Sequence, residues 1–486
     1  MAQNNASYTL PKIVGLFVGP ILFIVINLLP APEVIGEQGW KVISVALWMI
    51  AWWMTEAMPI AVTALLPMVL FPLLGVFDIK TATSTYANKI IYLFMGGFII
   101  ALAMEKRNLH KRIALNLIKL TGTHPNGIIL GFMIATAFLS MWISNTATTV
   151  MMLPIATSVT ALLHKGIKEN QKHGFGRFSL SLMLGIAYAA NIGGAMTIIG
   201  TPPNVVFAGY ADEMLHINID FSSWIMVGVP VGVTMISISY IILTKYLYPS
   251  GLSGFEASEG LINEKIKELG KMSTGEKRVA IIFVLTALLW ILRRHINDLL
   301  GAKILDDTII AMSGGILMFL VPVDLRKGDF LLDWESMKRL PWGILILFGG
   351  GLCLAKAMET TGIIQMIGDR ISENQEISIV MLVLILTTVM LFMTEIMSNV
   401  ALATIFIPVV MGIAIGFKVD PLLLSIPVAF AASFAFMMPI STPPNAIVFS
   451  TGMIKMKEMM RAGLILNLIS VAILVLMAFT LLQWVF

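Results

Sequence analysis

The sequence is poor in charge and in cysteine, and both shortages limit what the protein can be. Only 12% of its 486 residues are Asp, Glu, Lys or Arg, whereas a soluble globular domain is about one quarter charged. The single cysteine, Cys353, excludes an intramolecular disulfide and a metal site built from several cysteines. We predict that Cys353 is a small apolar packing residue.

Motifs of common hydrolases are also missing. The sequence contains no GxSxG and no HExxH, which argues against an intramembrane hydrolase. His110, His124, His164 and His173 lie in basic segments and show no metal-ligand spacing. We therefore expect a protein that is not an enzyme.

Apolar runs, by contrast, recur from one end of the chain to the other. Hydrophobic residues make up 58% of the sequence, and the mean hydropathy is +0.89. This predicts an all-α polytopic membrane protein with about 11 transmembrane helices. The first run is too long for a signal peptide and is expected to be retained. The predicted spans are 12–31, 39–56, 58–77, 89–105, 180–209, 223–247, 277–297, 305–323, 341–358, 422–453 and 462–485.

An internal duplication organises these spans. The tripeptide Ser144-Asn145-Thr146 has a partner, Ser398-Asn399-Val400, 254 residues later (398 − 144). The same offset relates the run LFMGGFIIALAME, from Leu93 to Glu105, to LFGGGLCLAKAME, from Leu347 to Glu359. The tetrapeptide TPPN also occurs twice, beginning at Thr201 and Thr442.

Two apolar regions, 127–163 and 379–417, are too long for one span, and each half is short for a full crossing. Each region has its Ser-Asn motif near the middle. A helical hairpin that enters and leaves the membrane on one side fits this pattern. Irregular backbone at membrane depth is costly unless it lines a cavity, so the polar tips predict one.

Loop charges predict the orientation of the two hairpins. The segments 105–124 and 164–177 are basic and flank the first hairpin, while 210–220 and 359–376 carry more acid than base. Because basic loops favour the cytoplasm, the first hairpin is expected to open from inside and the second from outside. This predicts an inverted-topology repeat with a cytoplasmic N terminus and an external C terminus. Arg293-Arg294-His295 is an exception to the charge rule.

The duplication also predicts the units of the chain. These are an N-terminal span at 1–38, a first repeat at 39–248, a cytoplasmic linker at 249–276 and a second repeat at 277–486.

The paired motifs predict the chemistry of the site. No Arg or Lys lies within a few residues of either Ser-Asn motif or either TPPN, so we expect a site of hydroxyls, amides and backbone groups without a fixed cation. The Pro-Pro pairs end helical hydrogen bonding at Thr201 and Thr442. Broken helices direct N–H groups towards an anion, and their carbonyls suit Na⁺. Glu395 is the clearest internal charge, either as a neutral hydrogen-bonded acid or as part of a cation site.

At these residues the sequence resembles the divalent anion:sodium symporter family, in its sodium-coupled dicarboxylate branch. The resemblance covers nearly the whole chain. It is carried by SNTAT at 144–148, SNVA at 398–401, GTPPN at 200–204 and ASFAFMMPISTPPNAIVFSTG from Ala432 to Gly452.

The resemblance implies opposed hairpins with the substrate between their tips. Together with the helix breaks, it gives ten candidate substrate-binding residues: Ser144, Asn145, Thr146, Thr201, Pro202, Ser398, Asn399, Val400, Thr442 and Pro443. It also implies two sodium sites, one formed by Ser140, Ser144, Asn145 and backbone near Gly193, and one by Thr394, Asn399 and backbone near Ser441.

The function that the resemblance implies is sodium-driven uptake of succinate, malate, fumarate or citrate through the cell's inner membrane, by an elevator motion of a homodimer. A sodium-independent exchanger of di- or tricarboxylates is the alternative, and a channel is a third class. Coupling to several cations is favoured on physical grounds. Moving one charge through 100 mV is worth about 2.3 kcal/mol, so an interior-negative potential of that size opposes the uptake of a dianion by about twice that free energy. We expect lipid as the environment and no nucleic-acid partner.

One residue departs from the pattern of the family. Many bacterial members have a complete SNT in the second repeat, where this chain has Val400. The tip loses a hydroxyl, which leaves the choice between a four-carbon dianion and citrate open.

Overall fold

A computed structural model describes residues 9–122, 124–165, 171–252, 264–372 and 377–486, and helices dominate it. In chain order the α-helices are α1 Leu10–Leu28, α2 Gly36–Thr55, α3 Ile60–Thr63, α4 Leu66–Leu73, α5 Ile79–Ser84, α6 Lys89–Lys106, α7 Leu109–Leu120, α8 Pro125–Ser140, α9 Asn145–Lys165, α10 Lys172–Ala195, α11 Pro202–Leu215, α12 Phe221–Ile241, α13 Thr274–Leu300, α14 Asp307–Leu320, α15 Trp342–Thr360, α16 Ile363–Ser372, α17 Ile379–Met393, α18 Asn399–Gly416, α19 Pro421–Ala431, α20 Pro443–Phe449, α21 Met456–Ala478 and α22 Leu481–Val485. A π-helical turn, Ile242–Leu247, continues α12.

The all-α polytopic membrane fold is confirmed. In the described ranges, eight helices are long and apolar enough to cross a membrane, and further apolar helices are shorter. The strands found there are β1 Pro322–Asp324 and β2 Asp329–Phe330, which form one small antiparallel pair. Cys353 is buried, as a packing residue should be.

Both predicted hairpins form a helix, a short turn and a second helix. In the first hairpin, α8 and α9 are joined by residues 141–144, and in the second, α17 and α18 are joined by residues 394–398. Pro125 begins α8, where its missing N–H is not needed, and Ser378 caps α17 by accepting from the Met381 N–H. The predicted bounds, 127–163 and 379–417, agree with these helices to within two residues.

The predicted continuous spans at 180–209 and 422–453 are wrong. The chain leaves the helix between α10 and α11, at residues 196–201 (the first break), and between α19 and α20, at residues 432–442 (the second break). The proline pairs at 202–203 and 443–444 were expected to end the preceding helices, and they do not. They lie in the first turn of the following helices. A first turn lacks hydrogen-bond acceptors for its own N–H groups, so proline begins a helix there without loss.

The predicted span at 58–77 is also interrupted. It consists of the two short helices α3 and α4, because Pro67 lies in the first turn of α4 and cannot extend α3. The predicted linker at 249–276 extends over residues 253–263, which lie outside the described ranges.

The duplicated elements pack reciprocally at the centre of the protein. The second helix of the first hairpin, α9, contacts α20, and its counterpart α18 contacts α11. In the same way α10 contacts α20, and α11 contacts α19. The helix α10 is the centre of the core, since every residue from Phe178 to Ala195 is buried. This exchange of partners brings both hairpin tips and both breaks together.

Candidate functional site

A cavity of about 740 Å³ lies between the two hairpin tips and the two breaks. All ten residues predicted to bind substrate line it: Ser144, Asn145, Thr146, Thr201, Pro202, Ser398, Asn399, Val400, Thr442 and Pro443. The tertiary structure therefore brings together motifs that lie up to about three hundred residues apart in the chain. Binding by these residues stays a prediction.

Behind the first tip lies a cluster of three oxygen atoms. The Ser140 hydroxyl, at the end of α8, is 2.6 Å from the Asn145 amide oxygen and 2.8 Å from the Ala190 carbonyl oxygen. The hydroxyl has one hydrogen to donate, and the other two atoms only accept. The cluster is therefore rich in oxygen and short of hydrogen, which is the environment that a hard cation such as Na⁺ prefers.

The second tip repeats this cluster. The Thr394 hydroxyl is 2.7 Å from the Asn399 amide oxygen and 3.0 Å from the Ala432 carbonyl oxygen. Ser140 and Thr394 are both fully buried, so water does not reach these hydroxyls from the cavity. Two equivalent oxygen clusters thus lie behind one cavity, one in each half of the duplication.

Two adjacent glycines shape the first cluster. A Cβ atom added at Gly193 would overlap the backbone of Ala137, so α10 and α8 can approach closely only because this residue is glycine. A Cβ atom added at Gly194 would overlap the Asn145 amide. The helix backbone therefore lies directly against the side chain that the first tip contributes.

The predicted sodium ligands divide into two groups. Ser144, Asn145, Asn399 and Ser441 reach the cavity wall, whereas Ser140, Gly193 and Thr394 lie behind it. Ser441 donates from its hydroxyl to the Met438 carbonyl at 2.6 Å. Cation binding by these residues stays a prediction.

Buried asparagines fix the breaks, and the sequence analysis missed their role. Asn204 donates to the Thr197 carbonyl at 2.8 Å, and its counterpart Asn445 donates to the Met438 carbonyl at 3.1 Å. Both belong to the TPPN motifs, whose repetition was a usable signal. Asn191 connects the two halves by donating to the Thr442 hydroxyl at 3.1 Å. Asn191 lies in an apolar helix, and no motif in the sequence around it indicates this contact.

The expectation of a site without a fixed cation needs correction. Arg339 lines the cavity, where it forms an ion pair with Glu105. It lies in the 3₁₀ turn Trp334–Arg339, about sixty residues before the second tip, so only the fold brings it there. The side chain is exposed to solvent.

A second chamber, of about 840 Å³, continues from the cavity. It shares Ser144, Thr146 and the Glu105–Arg339 pair with the first chamber and is also lined by His110, Lys111 and Lys265. Burial lowers the pKa of His110. The chamber thus joins residues of the first tip to residues of segments that were predicted to be cytoplasmic.

Paired hairpins and broken helices that bring polar tips to a central cavity, in an all-α membrane protein, define a secondary transporter. The comparison with protein families agrees. The model of the sodium:sulfate symporter transmembrane region matches residues 10–486, and the chain belongs to this family of transporters.

Curated relatives are similar over nearly their whole length. The chain is 41% identical to the sodium-dependent dicarboxylate transporter SdcS of Staphylococcus saprophyticus, over 98% of this chain and 92% of that protein. It is 40% identical to SdcS of Staphylococcus aureus strain USA300, with the same coverage.

Solved structures share the fold at low sequence identity. The chain resembles MtrF of Neisseria gonorrhoeae with a TM-score of 0.58 and 12% identity, over 97% of this chain and 95% of that one. It resembles the YdaH transporter of Alcanivorax borkumensis with the same score and identity, over 98% of both chains.

Proposed function

We propose that the protein is a secondary active transporter that couples the uptake of C4-dicarboxylates, such as succinate, malate and fumarate, to Na⁺. The observation that carries this proposal is the pair of equivalent oxygen clusters, at Ser140–Asn145 and Thr394–Asn399, behind a single cavity. The names of the SdcS relatives, similar over 98% of the chain, supply the substrate class and the coupling ion.

The donors at the two tips suit a dicarboxylate. Asn145 and Asn399 line the cavity, one from each tip, and Thr146 adds a hydroxyl. An amide has two N–H groups, so each can donate to a carboxylate while its oxygen remains in the cluster behind the tip. One side chain would then contact the substrate and the cation together. Sodium binding would order the amide for the anion, which couples the two ligands.

The charge balance also favours coupling to sodium. The motifs carry no Lys or Arg, and Arg339, which also lines the cavity, is paired with Glu105. Two monovalent cations in the two clusters neutralise a dianion in the cavity, and a third would allow an interior-negative potential to drive uptake. We propose the inner membrane of the cell as the site of transport.

The reciprocal packing of the halves supports a finer proposal for the mechanism. We assign 39–248 and 277–486 to two repeats of inverted topology, because α9 contacts α20 in the way that α18 contacts α11. The hairpins and broken helices then form one body around the site, which moves against the remaining helices in an elevator motion. We propose a homodimer with its N terminus inside and its C terminus outside. The second chamber is lined by His110, Lys111 and Lys265, which belong to segments predicted to be cytoplasmic, and this supports an opening towards the cytoplasm.

Uptake by purified protein in liposomes tests the proposal. An inward sodium gradient should drive accumulation of labelled succinate, whereas an equal potassium gradient should not. An interior-negative membrane potential should increase the rate of succinate uptake if more than two sodium ions accompany each dianion. Uptake that requires preloaded dicarboxylate and ignores sodium would establish an exchanger instead, and currents far above turnover rates would establish a channel.

A further inference from the structure

Glu395 is a buried carboxylate to which the proposed mechanism gives no role. It lies in the turn of the second hairpin, directly after Thr394, and its side chain is only 3% exposed. No ion pair found among the described residues includes it. A buried carboxylate without a cationic partner is costly unless hydrogen bonds satisfy it, so its contacts indicate why the fold retains it.

Four hydrogen bonds hold the carboxylate, and three come from one stretch of backbone. One oxygen accepts from the N–H groups of Phe436 and Met437, at 2.7 and 2.9 Å, and the other from the N–H of Met438 at 3.1 Å. The fourth donor is the Asn467 amide at 2.7 Å, from α21. All three backbone donors belong to the second break.

The carbonyl groups of the same break have other partners. Asn445 donates to the carbonyl oxygens of Ala435 and Met438, both at 3.1 Å, and Ala432 contributes its carbonyl oxygen to the second cluster. Glu395 therefore accepts from the N–H groups of the second break, while the carbonyl groups of the break bind Asn445 and Thr394. Without this acceptor, three backbone N–H groups, that of buried Phe436 and those of half-buried Met437 and Met438, would lack a partner.

The equivalent position of the first half carries no carboxylate. Met141 occupies the position equivalent to Glu395, 254 residues earlier, and only its backbone takes part: its carbonyl oxygen accepts from the Thr197 hydroxyl at 2.5 Å. The first break is also shorter, at residues 196–201 against 432–442. The carboxylate thus distinguishes the second break from the first.

We propose that Glu395 is the positioning residue of the second cation site. It holds the second break so that the Ala432 carbonyl reaches the Thr394 and Asn399 oxygens, and it places a negative charge beside a cluster that otherwise contains only neutral oxygens. A cation in the second cluster is stabilised by both effects, while a cation in the first cluster has neither. The two sodium sites are therefore unequal. This inference rests on the proposed sodium coupling.

The test is a sodium titration of succinate uptake by the full chain in liposomes. Glu395→Gln keeps the shape and one acceptor but removes the charge, and it should raise the half-saturating sodium concentration about tenfold, the scale of one charge-assisted hydrogen bond. The maximal rate at saturating sodium should change far less. Glu395→Asp keeps the charge and should recover part of the loss.

Glu458→Gln is the matched control. Glu458 also accepts a backbone hydrogen bond, from Lys455 at 2.9 Å, but it does so at the start of α21, away from both clusters. Its replacement should leave the sodium titration unchanged. If Glu395→Gln is not recovered as folded protein, Asn467→Ala removes one donor to the same carboxylate and should raise the sodium requirement about threefold, as loss of one hydrogen bond does.

The outcomes separate this inference from the proposed function. Wild-type uptake that ignores sodium overturns the proposed function. Sodium-dependent wild-type uptake, with an unchanged half-saturating concentration in Glu395→Gln, or in Asn467→Ala where that variant replaces it, overturns only the role of Glu395. A lower maximal rate with an unchanged half-saturating concentration also overturns it, because that is the result of a merely structural residue.

Discussion

The two hairpin tips occupy equivalent places in the duplication, yet their surroundings differ. In the first tip, Trp142 packs among aromatic rings, with its ring centre 4.8 Å from that of Phe283 and 5.9 Å from that of Phe221. The equivalent residue of the second tip, Ile396, is 75% exposed. The first tip is therefore held by helices outside its own hairpin, α12 and α13, and the second tip has no such contact through this residue.

The second tip is held through polar contacts instead. Glu395 connects it to the backbone of the second break, where the first half uses the Thr197 hydroxyl and the Met141 carbonyl. The oxygen clusters are nevertheless alike, with 2.6 Å between the hydroxyl and the amide oxygen in one half and 2.7 Å in the other. The comparison teaches that the halves preserve the geometry of the clusters while the supporting contacts have diverged.

Cysteine labelling gives the largest expected difference between the halves. Lys111 and Gln365 are equivalent positions, 254 residues apart (365 − 111), and both are exposed. If the repeats are inverted, cysteines at these positions react with a membrane-impermeant reagent from opposite sides. Cys353 is buried, so it should add little background. Labelling of both positions from one side would contradict the inverted topology.

Removal of the amides should have the next largest effect, and a similar one in each half. Asn145→Ala and Asn399→Ala each remove an amide that reaches both the cavity and a cluster, so uptake should fall by roughly 100-fold, as when a hydrogen bond to a charged group is lost. Gel filtration checks that both variants remain folded. Asn218→Ala, at an exposed site, is the control. Near-normal uptake by either variant would remove that tip from the site.

A methyl group at Gly194 tests the first cluster alone. It would overlap the Asn145 amide, so Gly194→Ala should displace that amide and raise the sodium requirement about tenfold, the cost of one strained contact of 1–3 kcal/mol. The matched control is Gly176→Ala in the same helix, where an added Cβ meets nothing within 4 Å. A sodium titration of succinate uptake measures both. Equal behaviour of the two variants would show that the cluster tolerates the methyl group.

The smallest expected effect concerns Val400, the residue in which the second Ser-Asn motif differs from the first. Val400 lines the cavity where the first tip has Thr146, so Val400→Thr restores a hydroxyl donor. We expect the ratio of succinate to citrate uptake to change by about threefold to tenfold, the scale of one neutral hydrogen bond. Competition between the two labelled substrates gives the ratio, and Thr146→Val should shift it through the other tip. A ratio that neither variant changes would exclude both side chains from selectivity.

Much of this architecture is readable in the sequence because the signals are local or repeated. The hairpin helices follow from the length of their apolar regions, and Ser144-Asn145 and Ser398-Asn399 are marked as tips by their common offset. The predicted spans through the breaks were wrong because hydropathy does not distinguish a helix from apolar irregular backbone. The proline pairs mark where α11 and α20 begin, but nothing local marks where α10 and α19 end.

The sequence by itself determined the fold class, the duplication and the polar residues at the two tips, since each depends on composition, periodicity or identity between distant segments. Only the tertiary structure decided what lies around them. The carbonyl groups of Ala190 and Ala432 complete the clusters. Because every residue has a backbone carbonyl, no side chain in the sequence indicates which carbonyls take part. Arg339 and Glu395 likewise acquire their partners through contacts between segments far apart in the chain, which arise only when the helices pack.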